Sequence, residues 1–131
     1  MPMSLTSLNL PPEALKKYHP LEAIRRRRAK MSAEISSRRR RAHAAARKAA
    51  KLLRDEFGAT EVILFGSLAR RGCFTLFSDI DIAVCGIPPT RYFEAVGAVT
   101  GISAEFKIDL IDLETCPASM RENIEKDGKT L

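Results

Sequence analysis

Tryptophan is absent from these 131 residues, tyrosine occurs twice and cysteine three times. Cys73, Cys85 and Cys116 are odd in number, far apart and without metal-ligand spacing, which argues against a disulfide framework and a zinc site. Reduced thiols and a cytoplasmic setting are expected. No stretch approaches the roughly 18 apolar residues of a membrane span. The N-terminus has no basic flank followed by an apolar run, so no secretory signal is expected. No internal repeat is present. Proline and glycine are missing altogether between Leu21 and Phe57, and good helix formers fill that interval.

The chain is 45% hydrophobic and 29% charged, the balance of a globular protein with one core. Its net charge of +6 is unevenly spread. Residues 21–57 hold 13 basic and 4 acidic side chains, and the rest of the chain holds 9 and 12. A basic helical arm thus precedes a mildly acidic body. Within the arm Ile24, Met31, Ile35, Ala42, Ala46, Ala49, Leu53 and Phe57 recur at spacings of seven, four or three. That is one face of a helix, with Ser36-Ser37 as a candidate break and Gly58 as its stop. Residues 1–20, with Pro2, Pro11, Pro12 and Pro20, read as an irregular leader with a short helical turn around Pro12–Tyr18. Residues 21–131 read as one domain that includes the helix.

Beyond Gly58 strands and helices alternate. Glu61–Phe65, Ile80–Cys85 and Phe106–Ile111 have strand character, and Ser67–Arg71 suits a short helix. Thr90 can cap a helix carrying Tyr92, Phe93, Ala95, Val96 and Val99 up to Gly101. Pro117 opens a last helix that would bury Met120 and Ile124 and end near Gly128. The expected class is α/β or α+β, a small sheet flanked by helices.

Three elements carry chemistry. Gly66-Ser67 stands where a strand meets a helix, and there backbone N–H groups and a hydroxyl suit a phosphate. Taken alone, a Gly-Ser turn is more often only a turn. Asp79 and Asp81, two apart at the start of a strand, would point to the same face. Such neighbours repel, and Mg²⁺ relieves the conflict by taking an oxygen from each. Asp109, inside a strand beside theirs, would bring a third acid to the same ions. Two ions roughly 3.5–4 Å apart can clamp the attacking and leaving oxygens of a phosphoryl displacement. Asp112 is a rival for the third position, although three residues on it faces the other way and reads as a strand-ending acid.

Together, Gly66-Ser67-Leu68-Ala69-Arg70, Ser78-Asp79-Ile80-Asp81-Ile82 and Lys107-Ile108-Asp109-Leu110 resemble the nucleotidyltransferase superfamily typified by DNA polymerase β. Within it they resemble the minimal nucleotidyltransferases (MNT) paired with HEPN-domain partners. The resemblance runs from about Ala42 to the C-terminus. It implies a mixed sheet flanked by helices and a metal-dependent transfer of NMP from an NTP, with ATP as the expected substrate. Asp79, Asp81 and Asp109 would hold two Mg²⁺ ions and carry catalysis, and Gly66, Ser67 and Arg70 would hold the triphosphate. Arg71 stands where these proteins often have glycine, and the interval from Gly66 to Asp79 is a residue longer than usual. Both departures concern the loop and leave the acids in place. Lys107, beside Asp109 but on the other face, reads as solvated.

A chain of this size without tryptophan leaves the acceptor to a second protein. The resemblance makes that a HEPN-type toxin, adenylylated on a tyrosine by its antitoxin. The Arg25–Arg28 and Arg38–Arg41 clusters admit an alternative, a non-catalytic module that binds a toxin or RNA through the basic helix. Four consecutive arginines wrap around a helix, however, and a solvated helix docking on an acidic partner accounts for them as well. The alanine stripe admits a homo-oligomer or packing on the chain's own sheet.

Overall fold

The computed structural model describes residues 20–131, so the irregular leader and its turn of helix lie outside the described residues. Helix α1 runs Pro20–Phe57, followed by β1 (Glu61–Phe65), a single 3-10 turn (Gly66–Leu68) and β2 (Ile80–Cys85). Then come α2 (Pro89–Thr100), β3 (Ile108–Asp112), α3 (Ala118–Asp127) and β4 (Lys129–Thr130). The described residues divide along the chain into two units, before and after the Ala33–Glu34 bond, and the second carries every strand described. In the first, Arg25 through Arg28 are all exposed, and Arg26 pairs with Glu22 one turn back.

The fold is α+β, with a mixed four-stranded sheet in the order β3-β2-β1-β4. β1 is antiparallel to β2 and to β4, whereas β2 and β3 are parallel and joined across α2. Strand alternation gives the sheet two different faces. Val62, Leu64, Ile80, Ile82, Val84 and Ile108 form one of them, covered by α1 and α2. Ala42, Ala45, Ala46, Ala49 and Ala50 are buried on α1, and Leu53 and Phe57 close the end. Small side chains let the helix axis approach the sheet closely, and the two larger ones fill the space where it departs. Gly58, at φ +73°, ends the helix by donating to the Arg54 carbonyl. The opposite face is smaller. Ile63, Ala83, Leu113 and Ile124 form it, with Phe65, Cys85 and Cys116 packed against them.

Several boundaries differ from expectation. α1 passes unbroken through Ser36-Ser37, because both serines sit in a run of strong helix formers and neither must bend the backbone. The helix expected over Ser67–Arg71 is one 3-10 turn at Gly66–Leu68. β3 begins at Ile108 and ends at Asp112, two residues and one residue later than expected. α2 starts at Pro89 after Pro88, with no side-chain cap, so Thr90 lies inside it. Phe93 is 86% exposed and Met120 37%, while Ile124 is buried as expected. The short β4 was not foreseen.

Candidate active site

Asp81 sits at the centre of the acidic cluster. It is the register partner of Phe65 on β1 and of Asp109 on β3. Residues paired across neighbouring strands point to the same face, here the face of Ala83 and Ile124, away from the larger core. α3 lies over β1 on that side, and Asp81 and Asp109 remain half-buried beyond it. Asp79 is half-buried too, one residue before β2 begins. Burial pushes the Asp81 carboxyl above its usual range, Asp109 and then Asp79 push it further, and Lys107 acts against them. Asp109 and Asp79 are therefore both close enough to Asp81 to oppose its charge.

The glycine turn meets this cluster directly. Gly66 has φ +74°, and a Cβ there would collide with the Asp81 carboxylate. Only glycine combines that backbone angle with so close an approach. The Gly66 carbonyl accepts from the N–H groups of Ala69 and Arg70, at 3.2 and 3.3 Å, which tightens the turn around Ser67. A cavity of about 330 Å³ opens beside it, lined by Phe65, Gly66, Arg70, Met120, Asn123, Ile124 and Asp127. Arg70 brings a cation to this cavity, the Gly66 backbone a polar rim, and Phe65 and Ile124 an apolar floor.

Lys107 does not stand apart from the acids. Its Nζ lies 3.6 Å from Asp109 Oδ1, because residues two apart on an extended segment share a face, while its side chain stays 71% exposed, solvated as expected. Among the described residues, no three histidine, cysteine, aspartate or glutamate side chains are gathered closely enough to enclose a metal ion. The donor set nonetheless suits a hard divalent cation: it offers only carboxylate oxygens, and their charges conflict with one another. Asp112 belongs elsewhere. It ends β3, and its Oδ1 accepts from the Glu114 N–H at 3.0 Å.

Asn123 and Asp127 were not picked out from the sequence. Their signal is a spacing of three and four on α3, where Met120, Asn123, Ile124 and Asp127 share one helix face. Half of that face is polar, which hides it from a search for apolar periodicity.

Residues 47–131 match the family described as polymerase beta, nucleotidyltransferase. No curated protein matches the chain. Among solved structures, the chain is similar to a mutant of the toxin–antitoxin MntA-HpeT, with 30% identity and a TM-score of 0.54 over 65% of this chain and 69% of that one. It is 28% identical to a chain of a toxin–antitoxin with AMP-PNP, with a TM-score of 0.55 over 65% and 70%. A third similar structure is the tri-AMPylated Shewanella oneidensis HEPN toxin in complex with MNT antitoxin. It shows 26% identity and a TM-score of 0.51 over 67% and 69%.

Proposed function

The chain belongs to the polymerase beta nucleotidyltransferase family, as an MNT-type member, and from that premise we propose that it transfers AMP from ATP to a hydroxyl of a partner protein. The observation that carries this reading is the meeting of Gly66, Asp81 and Asp109. The acids of two adjacent strands are in register, and the glycine turn is packed on one of them.

Asp79, Asp81 and Asp109 would hold the Mg²⁺ ions, which when bound neutralise the phosphates and polarise the reacting phosphorus. Backbone N–H groups at Gly66 and Ser67, the Ser67 hydroxyl and the Arg70 guanidinium bind the β- and γ-phosphates. The acceptor oxygen attacks the α-phosphorus, the bond from that phosphorus to the bridging oxygen breaks, and pyrophosphate leaves. Asp109 receives the proton of the acceptor hydroxyl. Arg70, at the mouth of the cavity, stabilises the charge on the departing pyrophosphate.

The acceptor in this reading is a HEPN-type toxin. It is supported by the similar structures, one of which contains an AMPylated HEPN toxin and another AMP-PNP. Incubation with ATP, Mg²⁺ and a HEPN protein encoded beside this chain should raise the mass of that protein by whole AMP units. Asp79→Asn and EDTA should each abolish the increase. A wild-type protein that leaves its neighbour's mass unchanged would overturn the reading.

A further inference from the structure

One member of the second arginine cluster is largely buried. Arg38, in the unit that carries the sheet, has a side chain only 16% exposed. Its guanidinium lies 4.4 Å from the centre of the Phe106 ring and 5.8 Å from that of Phe74. From there Nη2 donates to the Ser78 carbonyl at 3.1 Å, and Nη1 stands 3.7 Å from the Glu105 carboxylate. Nε, however, is buried with no hydrogen-bond partner, unlike any other buried side-chain nitrogen or oxygen among the described residues. A methionine would fill the slot between the two phenylalanines and leave no donor orphaned. Packing alone therefore does not account for an arginine, and the other end of the guanidinium does.

The Ser78 carbonyl and the Asp79 N–H belong to one planar peptide unit. Holding the oxygen fixes the direction in which the chain reaches Asp79. Next along the chain, the Ile80 N–H donates to the Lys107 carbonyl at 3.0 Å. Lys107 follows Phe106, the ring on which the guanidinium rests. A single cation thus grips both segments just before they become β2 and β3.

We infer that Arg38 is a positioning residue for the acids: by locking the Ser78–Asp79 peptide against the start of β3, it sets where the Asp79 carboxylate stands relative to Asp81 and Asp109. The effect on transfer rests on the proposed reaction, whereas the clamp itself does not.

The test compares wild type with R38M, which keeps the stacking volume, and R38K, which keeps the cation but loses the planar fork. Hydrogen exchange at the amides of Asp79 and Ile80, binding of Mn²⁺ alone, and the kinetics of AMP transfer are measured on each. R38M should exchange these amides faster without a general loosening and bind Mn²⁺ about tenfold more weakly. Its kcat should fall roughly 10- to 100-fold with the KM for ATP nearly unchanged, the signature of misplaced reacting groups. R38K should lie between R38M and wild type on all three, and it decides the matter if R38M does not fold. Wild-type exchange and Mn²⁺ affinity in the folded variants would overturn the inference, as would an unchanged kcat in an active protein. If wild type transfers nothing while the variants still loosen residues 79 and 80, the proposed reaction fails and the clamp stands.

Discussion

Asp81 has Phe65 beside it on one strand and Asp109 on the other, and its carboxyl ionises at a higher pH than an ordinary aspartate. A folded state that binds this proton more tightly than the unfolded chain does is favoured at low pH. That advantage is complete below the unfolded value near 3.8 and disappears as the pH rises through the folded value. At neutral pH and without metal, the charged carboxylate therefore works against the fold. Asp81→Asn should melt at a higher temperature than wild type at pH 7 in EDTA, yet transfer no nucleotide. The gain should shrink as the pH is lowered toward 3.8, and a series of melts across that range checks it. A lower melting point for the variant at pH 7 would show that the carboxylate has partners that compensate its charge.

At the scale of elements, α1 divides its work along its length. Leu53 is fully buried beneath the sheet, whereas Ile24 is 43% exposed and Met31 55%, although all three fall on one expected helical stripe. Leu53→Ala should cost about 2–5 kcal/mol, as removal of a buried leucine does. Ile24→Ala should stay within about 0.5 kcal/mol of wild type. Urea unfolding of the two variants tests the contrast, and a large loss at Ile24 would mean that something covers that face in solution. The contrast also shows why periodicity succeeded here and failed elsewhere. Apolar spacing located α1, β1 and β2 because their patterns are set by burial on a large face. It missed β4, which is two residues of backbone pairing, Lys129–Thr130, with both side chains exposed. It misjudged Met120, which is exposed and lines the open cavity beside Gly66 instead of packing in the layer with Ile124. The acids were legible as a motif. Their neighbour Lys107 was assigned to the wrong face, since residues two apart on an extended segment share one, although its exposure was read correctly.

For the molecule as a whole, the site exists only as an assembly. β1 supplies the turn at Gly66, β2 and β3 the acids, and α3 the far wall of the cavity. Mg²⁺ with ATP at 100 times its Kd should therefore raise the free energy of unfolding by about 2.7 kcal/mol, seen as a higher melting temperature. Asp79→Asn should remove that shift while leaving the unliganded melting point near that of wild type. A shift of equal size in the variant would place the nucleotide somewhere other than beside the acids. The charge asymmetry divides in a similar way. Arg25 through Arg28 are exposed to solvent, but Arg38 and Arg41 are engaged with Ser78 and Glu105. No helix among the described residues is long and apolar enough to cross a membrane.

The parallel join between β2 and β3 has a consequence in time as well as in space. Parallel neighbours cannot be linked by a tight hairpin, and here the chain must first travel out along α2 and back. A slip of one residue in that pairing would turn Asp109 inward among the aliphatic side chains. If the proposed transfer runs through these acids, an immature chain, however well its helices have formed, is chemically mute, and the onset of turnover would serve as a clock for the completion of folding.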